Sequence, residues 1–143
     1  MKSYREILDP NNTLPVVRLD TTSSHDYGHL LYEDMTIISE NTPVGRLSLA
    51  SEEDAHSLFA HFDGIEVVQN QRGRGVGLAT YILAIELSHT RGFNFESQNS
   101  LTEHSKKVWE HLGNSGVAQI IVPLTDSPYR KGEYNGKFRV PLQ

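Results

Sequence analysis

The 143-residue chain contains no cysteine. That excludes disulfides, thiolate metal sites and an acyl group carried on a protein sulfur. No charge-free apolar stretch approaches the roughly 20 residues a membrane helix needs, and Met1-Lys2-Ser3-Tyr4-Arg5 does not lead into a signal-peptide core. The expectation is a cytoplasmic protein with no membrane partner. Positive charge is in deficit: 13 Lys and Arg stand against 18 Asp and Glu, for a net −5, which argues against a nucleic-acid partner. Arg130, Lys131, Lys137 and Arg139 are diluted by Glu133 and read as a solvated loop. There is no Gly-x-Ser-x-Gly elbow, so a serine hydrolase is not indicated. His25 and His29 stand four apart but flank a turn-like Asp26-Tyr27-Gly28 and have no evident third ligand, so no metal is expected. The length fits one domain over residues 1–143.

What the chain does have is Gln71-Arg72-Gly73-Arg74-Gly75-Val76-Gly77-Leu78. It follows the apolar Ile65-Glu66-Val67-Val68 and opens an apolar segment running from Val76 to Leu87. Strand, glycine-rich turn and helix in that order form a phosphate cradle: glycines let backbone N–H groups approach an anion, and the helix start adds unpaired donors and its dipole. Arg72 and Arg74 bring charge to the same place. A P-loop would need Lys-Ser/Thr after the last glycine, where Leu78-Ala79 stands. A dinucleotide fingerprint would need a glycine at Leu78. The turn therefore predicts a phosphorylated ligand of another kind.

Around it, the pattern predicts a short helix at Tyr4–Leu8, a strand from Leu14 to Leu19, and a polar loop from Thr21 to Gly28. Asp34–Ser39 and Val44–Ala50 read as a hairpin around Glu40-Asn41-Thr42-Pro43. Ser51-Glu52-Glu53-Asp54 begins like a capped helical turn. Strand character runs from Leu58 to Val68, with Gly64 as a bulge or bend. After the helix, Phe93 to Ser97 has a strand period, and Ser100-Leu101-Thr102-Glu103 has capping-box spacing ahead of a helix ending at Gly113. Val117–Leu124 reads as a buried strand and Phe138–Leu142 as a last one.

Arg72-Gly73-Arg74-Gly75-Val76-Gly77 resembles the Gln/Arg-x-x-Gly-x-Gly/Ala coenzyme A turn of the GNAT superfamily of N-acetyltransferases, and Ile65-x-Val67 looks like its cofactor-binding strand. The resemblance spans about residues 14–142 and is closest to small, trimmed phage-encoded and bacterial members. It implies an α/β fold with a mixed, mostly antiparallel central sheet of about six or seven strands flanked by helices. Asp20 to Asp34 leaves too little chain for the two helices the family places after its first strand, so these are shortened or missing.

The resemblance further implies an N-acetyltransferase that uses acetyl-CoA (coenzyme A) and transfers directly to a primary amine in a ternary complex. A protein lysine or N-terminus is favoured over a small metabolite by the shortened acceptor side. Glu52, Glu53, Asp54 and Asp63 favour a cationic acceptor. Backbone groups of Ile65, Glu66 and Val67 would hold the pantetheine arm, and Arg72, Gly73, Arg74, Gly75, Val76, Gly77 and Leu78 the pyrophosphate. His61 is the candidate catalytic base, on the same strand face as Val67 unless Gly64 shifts the register; the plainer account is a hydrogen-bonded strand histidine. Glu66 points to the other face; on the strand that splays away, where some members of the family carry a catalytic glutamate, Ser97 falls at that place and Glu96 one residue off, and Glu96 reads as structural. The family's acid, a tyrosine, falls on Trp109, whose indole only donates, and its asparagine on Thr102. Ser105, His104 or Tyr129 are the substitutes. The rival account is a non-catalytic module of the same fold that binds coenzyme A or a protein; a homodimer is compatible with either.

Overall fold

The computed structural model describes residues 2–54 and 58–143. A short helix α1 (Tyr4–Leu8) is closed by a capping box between Ser3 and Glu6. Strands β1 (Val17–Asp26), β2 (Leu30–Ser39), β3 (Thr42–Glu53) and β4 (Leu58–Val67) follow as an antiparallel meander. Helix α2 (Val76–Thr90) leads to β5 (Asn94–Glu96) and β6 (Ser100–Thr102), then α3 (Glu103–Asn114), β7 (Gln119–Asp126) and β8 (Glu133–Val140). The sheet runs β1-β2-β3-β4-β5-β8-β6, with β7 on β8. β5 and β6 meet β8 at successive positions, from Val140 down to Glu133, so they form one interrupted strand with a kink at residues 97–99. The mostly antiparallel α/β sheet is the one the resemblance implied.

Three expectations are corrected. Thr21 to Asp26 is strand rather than loop: β1 is the outermost strand, pairs only with β2, and exposes both faces, so its residues need not be apolar. β1 turns directly into β2 through residues 27–29, leaving no helix between them. The supposed helical turn at Ser51–Glu53 is the end of β3, paired with Leu30, Leu31 and Leu58–Ala60; Asp54 ends the described stretch. Val117–Leu124 is buried only at Val117 and Ala118: from Gln119 on it is β7, bonded only to β8, and Ile120 is 63 % exposed.

The β2–β3 hairpin turns on Glu40 and Asn41, both at positive φ (52° and 62°), as a tight hairpin requires. Gly45 on β3 is required by space, since a Cβ there would lie 2.3 Å from the Glu66 carbonyl oxygen. The core is built from Ile37, Val44, Leu47, Leu49, Ile82 and Ile85 where β2 and β3 meet α2, with an aromatic block beside it. Phe62, Tyr81, Phe95, Trp109 and Phe138 pack with ring centroids 4.8–6.2 Å apart. α2 and α3 therefore share the face that carries Phe62 and Phe95. The α3 N-cap is Thr102, not Ser100, because Ser100–Thr102 is held as β6 against β8.

Candidate active site

β4 and β5 run parallel but pair only at Phe59–Asn94 and Ala60–Phe95. Beyond that point they diverge. β5 follows β8, with Ser97 N–H donating to the Phe138 carbonyl at 3.0 Å, while β4 stays with β3 through a bulge that places Phe62 opposite Leu49 and Gly64 opposite Ser48. Asp63 is the extra residue. The divergence opens a cavity of about 240 Å³ walled by Phe62, Ile65, Tyr81, Phe95, Ser105 and Trp109, with Asp63 at its edge.

The bulge has a chemical consequence. Side chains alternate along a strand, and one inserted residue reverses the alternation. Phe62 and Ile65 therefore lie on the helix side, whereas His61, Gly64 and Glu66 lie on the other. His61 does not share a face with Val67. Its Nε2 meets Glu52 Oε2 at 2.9 Å and its Nδ1 faces the Phe62 carbonyl at 3.4 Å, so both ring nitrogens have acceptor partners. His61 lines neither the 240 Å³ cavity nor the open one on the far face of β1–β4, where Asp34, Arg46, Ser48 and Glu66 gather. Asp34 receives Ser48 Oγ at 2.6 Å and Ser23 Oγ at 2.8 Å, and these two bonds hold its carboxyl below the usual range.

Along the gap, Val68 N–H bonds back to the Val44 carbonyl at 2.8 Å. Antiparallel alternation then turns the backbone groups of Val67 and Ile65 toward the gap rather than toward β3. The Val67 carbonyl is taken by Arg72 Nε at 2.9 Å, and Arg74 Nη1 holds Gln71 Oε1 at 2.7 Å. The Glu66 carboxylate is paired with Arg46, and the same alternation turns its backbone groups to β3, so Glu66, unlike Ile65 and Val67, offers the gap no backbone group.

The glycine turn lies at the end of this gap. Gly75 is the N-cap of α2 at φ 86°, and no side chain caps the helix. The first bond inside the helix is from Ala79 N–H to the Gly75 carbonyl, so the N–H groups of Val76, Gly77 and Leu78 precede it and point out of the helix start. Arg72, Gly73 and Arg74 are exposed around them. An uncapped helix start, an exposed Gly73 and two guanidinium groups fit a pyrophosphate, and the gap beside Ile65 and Val67 fits an extended amide-bearing arm. His104 also borders the turn: a Cβ on Gly77 would lie 3.2 Å from its Nε2.

Among the other expected groups, Glu96 is buried and clamped by Arg139 and by Lys137 at 3.2 Å. Ser97 Oγ accepts from Phe138 N–H and stitches the kink to β8. Tyr129 is 93 % exposed on a distant loop. The sequence offers Asp63 only as one of four acidic residues that favour a cationic acceptor, with Gly64 marking the bend beside it, and gives Tyr81 no chemical role. Among the described residues no cluster could hold a metal, and no helix is long and apolar enough to cross a membrane.

No protein-family model matches the chain, and no curated protein matches it in sequence. Solved structures do match. The ribosomal-protein-S18-alanine N-acetyltransferase from Escherichia coli is similar over 90 % of this chain and 95 % of its own, with a TM-score of 0.61 at 11 % identity. Nourseothricin acetyltransferase is similar over 92 % and 86 %, with a TM-score of 0.54 at 17 % identity. At these identities the likeness is one of fold, and that fold is the GNAT fold.

Proposed function

We propose that this chain, built on the GNAT fold, is a cytoplasmic N-acetyltransferase that carries acetyl from acetyl-CoA directly to a primary amine. The observation that carries it is the uncapped, glycine-lined start of α2 at the end of the β4–β5 gap. The N–H groups of Gly73 to Leu78, with Arg72 and Arg74, bind the pyrophosphate. The backbones of Ile65 and Val67 line the arm, and Arg72 must release the Val67 carbonyl for the arm to pair there. The bound thioester supplies the activated acetyl group. An N–H near Val67 polarises its carbonyl.

The acceptor approaches from the helix-free far face of the sheet, where Asp34 and Glu66 line an open cavity and favour a cation. An open, acidic approach suits a lysine or N-terminus of a protein better than an enclosed metabolite. For the base, the geometry favours Asp63 over His61: it stands at the cavity edge and its carboxylate faces the Tyr32 phenol, whereas both His61 nitrogens are engaged. A carboxylate takes the ammonium proton through water. The engaged His61 and the Trp109 position also favour a second account, a coenzyme A-binding module without turnover.

Calorimetric titration with acetyl-CoA tests the site, with Gly77→Asp as control. Gly77 has an ordinary helical backbone and meets only the flexible His104, so the variant folds, and an acidic residue in the first turn favours the helix. Its carboxylate blocks the cradle. Losing two charge-assisted bonds of about 1.5 kcal/mol each weakens binding roughly 100-fold. A folded wild type that ignores acetyl-CoA would overturn both accounts; thiol release on adding an amine pool separates the enzyme from the module.

A further inference from the structure

Two buried ionisable groups in the wall of the cavity between β4 and β5 are left unused by the proposed chemistry; Glu96 is held by Arg139 and Lys137, and the other is Tyr81. Tyr81, from the middle of α2, is 3 % exposed, and its phenol meets the side chains of Ser105 and Trp109 from α3. Thr102 Oγ1 accepts from Ser105 N–H and donates to Ser105 Oγ at 3.1 Å. The Ser105 hydroxyl then has its own proton left for the Tyr81 oxygen. The indole N–H of Trp109 can only donate as well. Neither neighbour claims the phenol's proton, so Tyr81 keeps its own O–H for something else. All of these residues line the cavity beside Phe62, Phe95 and Leu101, which offer no side-chain donor; Gln98 and Ser100 line it from the kink and the start of β6. Burial pushes the phenol up to about 12, against the downward pull of Ser105 and Trp109, so the group stays protonated at neutral pH.

Transfer from a thioester leaves negative charge on sulfur. The amine nitrogen bonds the carbonyl carbon, the carbon–sulfur bond breaks, and its electron pair stays on the sulfur; the amine proton passes through water to Asp63 and on to solvent. An apolar wall makes that charge costly unless a donor meets it. Resting on the acetyltransferase reading, we propose that the Tyr81 hydroxyl donates a hydrogen bond to the coenzyme A sulfur, stabilising the departing thiolate from α2 where Trp109 on α3 has no proton to give. A free thiol ionises near 8.5, well below the phenol, so the proton remains on the Tyr81 oxygen and the sulfur takes its final proton from solvent. Thr102 and Ser105 are positioning residues that fix the direction of the phenol.

The test reads the bound thiol and needs no acceptor amine. Coenzyme A is bound to wild type and to Tyr81→Phe, and the thiolate ultraviolet absorbance is followed against pH as the difference from unliganded protein. The thiol on wild type is expected to ionise at a pH about one lower than on Tyr81→Phe, a roughly tenfold difference in acidity. Ser105→Ala, which leaves every ring in place, is expected to fall between the two and carries the comparison alone if Tyr81→Phe does not fold. Binding by both variants with ionisation at the wild-type pH would overturn the role of Tyr81 and leave the acetyltransferase reading standing. A wild type that does not bind coenzyme A would remove the reading and this role together.

Discussion

Nε2 of His61 and Oε2 of Glu52 lie 2.9 Å apart across the β3–β4 pair, on the sheet face opposite Ile65 and Val67. The bulge at Asp63 puts them there, and it also brings Asp63 to the edge of the β4–β5 cavity. His61→Ala is expected to leave acetyl-CoA affinity unchanged and to lower turnover by less than roughly tenfold, whereas Asp63→Asn lowers it about 100-fold, the lower end for a lost general base. Steady-state rates of thiol release for the two variants check this. The reverse ranking would return the base role to His61.

The contrast shows what the sequence made legible. Glycines, strand and helix around Arg72–Leu78 are local signals, and the turn lies where they put it. So does the β2–β3 hairpin, because Glu40 and Asn41 set it within a few residues. Gly64 marked an irregularity in β4, but which face His61 takes depends on pairing with Ser48 and Leu49, a non-local matter. β1 and β7 were misjudged for one reason from opposite sides: edge strands escape the burial rule, so Thr21–Asp26 is strand though polar, and Ile120–Val122 is exposed though apolar. Tyr81 was hidden in a helix apolar on nearly all sides; its meaning comes from Ser105 and Trp109, two elements further on.

Asp34 should make the protein acid-sensitive. Hydrogen bonds from Ser48 and Ser23 lower its pKa below the ordinary 3.8. A depressed carboxyl contributes stability that is fully present above its unfolded pKa and lost as pH falls through the folded one. Wild type is therefore expected to lose melting temperature more steeply than Asp34→Asn below about pH 4, with parallel curves above it. Thermal melts across that range check it, and equal slopes below pH 4 would remove the contribution.

Glu96 sits at 3 % side-chain exposure between Arg139 and Lys137. Glu96→Gln leaves two cations without their counter-charge in a partly buried place, and breaking such a pair costs roughly 3–5 kcal/mol when fully buried. The partners are 34 % and 23 % exposed, so water recovers part of the loss and about 2–3 kcal/mol is expected. Urea unfolding measures it. Because Glu96 is held away from any proton-transfer role, the folded variant should keep its pH–rate profile; a lost limb in that profile would make Glu96 a catalytic group.

Gly45 links stability to the ligand gap. A methyl group there would meet the Glu66 carbonyl oxygen at 2.3 Å and the Val67 Cα at 3.1 Å. Both are backbone atoms of β4, which cannot swing aside as a side-chain tip could, so Gly45→Ala must push β4 away from β3 at its far end. Overpacking of this kind costs about 1–3 kcal/mol. The displaced segment carries Val67, whose backbone lines the proposed arm of acetyl-CoA, so affinity falls together with stability. Pairing urea unfolding with acetyl-CoA titration distinguishes this from a purely local fault: a destabilised variant with wild-type affinity would mean that Val67 does not form the ligand's edge.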